Sequence, residues 1–141
     1  MSWDAKIKLA ENNVTSAEDL RELAKDKSPG IRRIVASNSN TPDDALLPLT
    51  RENSTWTKEN VAKNPNSSNN VLRQLTQDNG EYVRYYVATN PKASSKVLIA
   101  LFTYEKSLKE PNKNIIYSLY NHDNLPYIAK VIIETLYGEC L

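Results

Sequence analysis

At 141 residues the chain has the size of a single domain able to bury a core. Its 25% charged and 40% apolar content with a net charge of +1 is that of a globular protein without an overall field to recruit nucleic acid or an anionic membrane. Three glycines and one phenylalanine argue against a turn-rich β-sandwich or barrel, and the one cysteine, Cys140, excludes an internal disulfide or a cysteine-built zinc or iron–sulfur site.

The first segment, MSWDAKIKLAENN, carries Asp4, Lys6, Lys8 and Glu11 and lacks the apolar stretch of a signal peptide. No apolar run reaches the roughly 20 residues that span a bilayer, so a reducing cytoplasm is expected. Residues 1–11 look like the second half of a repeat, because Leu9-Ala10 matches pairs that recur downstream as Val35-Ala36, Val61-Ala62 and Val87-Ala88.

From Asn12 the sequence repeats every 26 residues without a gap, giving units 12–37, 38–63, 64–89 and a fourth, 90–120, with an insertion. Leu20, Leu46, Leu72 and Leu98 share one column, and Leu23, Leu49, Leu75 and Leu101 another. Within each unit the two leucines are three apart. A second patch (Ile31, Ile34 and Val35, or Val83, Tyr86 and Val87) has i, i+3, i+4 spacing. Both are helical spacings, and strand alternation is absent. Each segment is shorter than the roughly 12 residues an isolated helix needs in water, so stability must come from stacking one unit on the next.

Punctuation supports two helices per unit. Asn64-Pro65 and Asn90-Pro91 should end the second helix, since proline biases the preceding residue away from helical dihedrals. Thr41 or Ser67 is then expected to cap the following helix, with Pro42 at its first position, and Thr15-Ser16-Ala17-Glu18 reads as a capping box. Pro48 falls inside a predicted helix, which should be short, kinked or partly 3₁₀. After Leu101 the frame slips by about five residues, making Asn121 the expected fifth member of the asparagine column. Residues 121–141 then form a capping helix with Ile128, Val131, Ile132 and Leu136 as its apolar face and Gly138 at its end.

The expected fold is therefore all-α: an α-solenoid of about four two-helix repeats with divergent caps. The units VASNSNTPDDALLPL, VAKNPNSSNNVLRQL and VATNPKASSKVLIAL resemble the leucine-rich repeat variant family, whose units join a valine-arginine helix, an alanine-asparagine-proline turn and a leucine-rich helix. The resemblance covers roughly residues 12–105 and implies a right-handed superhelix of alternating α- and 3₁₀-helices, without an activity. The family's founding member holds an iron–sulfur cluster on a separate cysteine-rich segment that has no counterpart here, so no cofactor is expected.

The candidate binding surface is a column. Lys6, Arg32, Lys58 and Arg84 recur every 26 residues, one position after the apolar column of Ile31 and Val83, and are expected off the core as a ladder of cations. Either a solvated face or a binding surface fits such a ladder, because rungs ~8–10 Å apart repel by only about 0.4 kcal/mol in water. Arg33 and Tyr85 in the next column extend the surface, and all eight tyrosines lie between residues 82 and 137, which favours the carboxy-terminal half for contacts.

The preferred reading is a non-catalytic protein-binding or scaffolding repeat. The alternative is a nucleic-acid-binding helical repeat using the ladder, although four phosphate contacts would give a salt slope of only about −3.6. An enzyme on a helical scaffold is the weakest reading. His122 reads as a turn residue aligned with Pro91, Cys140 has no activating base in view, and Asp43-Asp44 complements a helix dipole.

Overall fold

The computed structural model describes all residues, Met1–Leu141, as an all-helical chain without strands. Ten α-helices follow in order: α1 (Trp3–Glu11), α2 (Ala17–Leu23), α3 (Pro29–Ser37), α4 (Asp43–Leu49), α5 (Thr55–Lys63), α6 (Asn69–Gln74), α7 (Glu81–Thr89), α8 (Ser95–Ser107), α9 (Lys113–Asn121) and α10 (Tyr127–Tyr137). A 3₁₀ turn, Gly138–Cys140, ends the chain. The odd-numbered helices α1 to α9 pack each on the next, and so do the even-numbered α2 to α8.

Residues one period apart occupy matching environments. The column Leu20, Leu46, Leu72 and Leu98 is fully buried, as is the column Ala10, Ala36, Ala62 and Ala88. Alanine at this column lets successive odd helices approach closely. Truncating Leu72 to alanine should cost about 2–5 kcal/mol.

Local chemistry sets the helix ends. Ser2, Ser16, Ser54, Ser68 and Ser94 each accept a hydrogen bond from the backbone N–H three residues on, satisfying a donor that the first turn leaves orphaned. Odd helices stop at Asn12, Asn38, Asn64, Asn90 and His122, all with extended backbone.

Several expectations need correction. Thr41 and Ser67 do not cap the following helices: they turn back and donate to Val35 O and Val61 O at the end of the preceding one. Ser68 caps α6, and the N-cap of α4 is Pro42 itself. The first box is shifted by one residue, with Ser16 capping and bonding Asp19. The even helices are α rather than 3₁₀. Pro48 sits in the last turn of the seven-residue α4, which closes with i→i−3 bonds from Thr50 N–H and Arg51 N–H.

Further corrections concern the fourth unit and the end. Its insertion is six residues rather than five, and it lies in α8, 13 residues long against seven for α2 and α4. The frame resumes at His122, not at Asn121. Helix α10 turns a different face inward: Leu125, Ala129 and Ile133 are buried, and Tyr137 packs edge-on against Phe102 at 6.4 Å. Of the expected inner face, Ile128, Ile132 and Leu136 are exposed and Val131 is half-buried. The i, i+4 set ending in Tyr137 wins because that ring reaches the elongated α8.

Candidate functional site

The cationic column is not a free ladder. Lys6 Nζ lies 2.6 Å from Asp26, Lys58 Nζ 2.5 Å from Asp78, and Arg84 Nε 2.5 Å from Glu105, while Arg32 Nε pairs with Glu52. Each carboxylate comes from the following helix connection or, for Glu105, from α8. Both arginines reach further: Nη1 of Arg32 donates to Asp26 O, and Nη1 of Arg84 to Asp78 O. The expectation that these side chains point off the core is corrected accordingly. Side-chain exposure falls from 33% at Lys6 to 7% at Arg84, whose partner Glu105 is fully buried.

The acids also organise the helix starts. Asp26 Oδ1 accepts from Ser28 N–H and Asp78 Oδ1 from Gly80 N–H, each at 2.8 Å. In the fourth unit Glu105 Oε2 accepts from Asn112 N–H, the matching position, so a residue inside the lengthened α8 replaces the missing connection acid. Lys6, with the Ser28 N–H behind it, holds the Asp26 carboxyl below the ordinary aspartate range.

A second ladder runs beside the first. Nδ2 of Asn64 donates to Ala36 O at 2.8 Å and Asn38 O at 2.9 Å, and its Oδ1 accepts from Asn66 N–H. Asn38 and Asn90 make the equivalent three bonds one unit before and after. His122 takes the next rung: Nδ1 accepts from Asn124 N–H, which places the ring proton on Nε2, 2.8 Å from Asn90 O. It is therefore held as a structural connector between units.

Several aromatic side chains stand outward on the odd helices. Trp56 and Tyr82 share a column, as do Arg33, Glu59, Tyr85 and Tyr117 once the six-residue insertion is counted. Trp56, Tyr82 and Tyr117 are 66%, 62% and 52% exposed; Arg33 is exposed and Tyr85 half-buried. The Arg33 guanidinium lies 5.4 Å from the Trp56 ring centre and Lys63 Nζ 4.4 Å from that of Tyr86, both within cation–π range. Between α7 and α9 a groove of about 450 Å³ is lined by Glu81, Tyr82, Tyr85, Asn112, Asn114 and Tyr117. Asn112 Nδ2 donates to Glu81 Oε2 at 2.9 Å across its end.

Comparison with protein-family models, curated proteins and solved structures finds no match. The site is therefore read from its geometry. Of the six sequence-derived candidates, Lys6, Arg32, Lys58 and Arg84 are joined to carboxylates, whereas Arg33 and Tyr85 lie on the aromatic face. Trp56, Tyr82 and Tyr117 were missed. Their signal is a departure from the repeat at outward positions, where Gly30, Trp56, Tyr82 and Asn114 share a column without sharing a chemistry.

No group of three histidine, cysteine or acidic side chains stands close enough to hold a metal ion, and no helix is long and apolar enough to cross a membrane. A shallower groove of about 670 Å³ between α6 and α8 is lined by Arg73, Gln77, Lys96, Ile99 and Tyr104 among others. Its cations are exposed, and nothing buried directs them at a ligand.

Proposed function

We propose that the chain is a non-catalytic protein-binding repeat, a right-handed α-solenoid of the leucine-rich repeat variant kind, that engages its partner through the outer face of α5, α7 and α9. The observation carrying this reading is the set of exposed Trp56, Tyr82 and Tyr117 with half-buried Tyr85, the three tyrosines lining a groove of about 450 Å³. Tyrosine, tryptophan and arginine dominate binding energy at protein interfaces, and large aromatic side chains left in water on one face are costly unless a partner covers them. The shared environment of residues 26 apart and the serial packing of odd and even helices support the solenoid reading. The single thiol accords with a cytoplasmic setting.

A nucleic-acid reading would rest on the basic ladder, and each of those four cations is already neutralised by a carboxylate. A release of counterions from phosphate would have to come from scattered surface lysines instead.

The test is affinity capture from a lysate of the source cell with three immobilised forms: the natural chain, Tyr82→Ala/Tyr117→Ala, and an Arg73→Glu control on the even-helix side. Circular dichroism would establish that all three are equally helical. At least one protein should be retained by the natural chain and the control and lost from the tyrosine variant. Retention of every specific partner by the tyrosine variant would remove this face from the function.

A further inference from the structure

We infer that the groove between α7 and α9 receives a cationic side chain of the partner, with an arginine guanidinium as the favoured occupant. This deepens the protein-binding reading and rests on it. Its basis is a position where the chain's own pattern is broken. On α3 and α5, the Arg33 guanidinium lies against the exposed ring of Trp56. One unit later the same two columns hold Glu59 and Tyr82, so the register sets a carboxylate where a cation meets the preceding aromatic. Tyr82, 62% exposed, meets no cation of the chain.

The groove compounds this. Its lining is three tyrosines, two asparagines, a serine and Glu81, with no cation among them. Lys113, which starts α9 beside Asn112, lines the separate cavity next to Tyr137 and Cys140 instead. Neither Glu59 nor Glu81 takes part in an ion pair, while Asp26, Glu52, Asp78 and Glu105 all do. Glu81 Oε2 is held by Asn112, which orients the carboxylate and leaves Oε1 to accept.

Electron-rich ring faces beside unpaired carboxylates attract a cation. A planar guanidinium can stack on tyrosine while donating to Glu81, which an ammonium cannot do in the same way. The same chain uses this pairing internally at Arg33–Trp56, Lys63–Tyr86 and Arg84–Tyr104. Tyr82, Tyr85 and Tyr117 have no such cation of their own.

The experiment is an NMR titration of the full chain with the blocked pentapeptide Gly-Gly-Arg-Gly-Gly and with its citrulline counterpart, which keeps the shape and removes the charge. The expected result is a saturable shift of the Tyr82, Tyr85 and Tyr117 ring signals with the arginine peptide. Affinity should fall about 2–5-fold on replacing arginine by citrulline, and similarly for Glu81→Gln. A lysine peptide should bind the same residues more weakly. No saturable shift, equal response to the citrulline peptide, or shifts confined to the Arg73–Lys96 side would each overturn the inference. If partner capture depends on Tyr82 and Tyr117 while the arginine peptide leaves them unmoved, the binding face stands and the cation assignment falls.

Discussion

Removing the side chain of Asn64 should weaken the contact between two units more than any exposed substitution could. Asn64 is 2% exposed and makes three hydrogen bonds, two donated to Ala36 O and Asn38 O and one accepted from Asn66 N–H, all within 2.9 Å. At about 1 kcal/mol net for each bond, Asn64→Ala should cost roughly 3 kcal/mol, a large share of the ~5–15 kcal/mol typical of a whole domain. Asn64→Asp is nearly isosteric but replaces the donor with an anionic acceptor facing two carbonyl oxygens. It should be worse than alanine by at least about 1 kcal/mol at neutral pH. Urea unfolding followed by far-ultraviolet circular dichroism measures both, and amide exchange at Asn66 gives a local reading because its N–H loses its acceptor. A loss below about 1 kcal/mol for alanine, or equal losses for alanine and aspartate, would refute the claim that donation across the unit boundary is what the column supplies.

Other substitutions separate the two ladders. Arg84→Met leaves the fully buried Glu105 without its cation and should cost about 3–5 kcal/mol by chemical denaturation, whereas Arg84→Met/Glu105→Leu should recover most of that loss. Thr57 has a buried hydroxyl with no hydrogen-bond partner, in the column of Ile31 and Val83, so Thr57→Val should raise stability by about 1 kcal/mol in the same assay. His122→Asn should retain more stability than His122→Ala, because asparagine can supply both the donor to Asn90 O and the acceptor for Asn124 N–H. The Asp26 carboxyl titrates below its ordinary value of 3.8, chiefly because Lys6 donates to it. Its contribution is full above that value and is lost as pH falls through the lowered one, so the stability gap between the natural chain and Asp26→Asn should begin to narrow below about pH 4 and vanish below the lowered value.

The helices and their core columns were legible because leucine, valine and alanine return every 26 residues and need only spacing to be read. Asn38, Asn64 and Asn90 were visible as a column too, but a sequence shows that an amide recurs without showing that it reaches back across a unit boundary. The cation ladder was misread for want of its partner. Asp26, Glu52 and Asp78 recur at the same period as Arg32, Lys58 and Arg84, and the pairing of short lysine–aspartate with longer arginine–glutamate reach was available in the residues. Glu105 was not, since it stands 27 rather than 26 positions after Asp78 and belongs to a helix. His122 escaped for a similar reason: six extra residues in α8 and a change of side chain together hide an equivalence that only matching donor and acceptor geometry discloses. The inward face of α10 turned on the Tyr137–Phe102 contact, a long-range pairing that an apolar stripe cannot foretell.

Periodicity and function pull apart in this chain. Every unit must meet its neighbour in the same way, so side chains that join units are held to the period: the leucines, the alanine, the asparagine and the paired cation with its acid. Once Lys6, Arg32, Lys58 and Arg84 are tied to carboxylates, their regular spacing is accounted for by packing and no longer marks a docking site. Outward positions carry no such obligation. Trp56 and Tyr82 differ within one column, and Arg33, Glu59 and the tyrosines at 85 and 117 differ within the next, and Tyr82, Tyr85 and Tyr117 gather at one groove. The change from arginine at 33 to glutamate at 59 exchanges a cation that meets its neighbouring ring for an acid, and the next ring has no cation of the chain against it. Where repetition stops at an exposed aromatic position, the side chains are released from joining units, which is why the proposed contact is placed there.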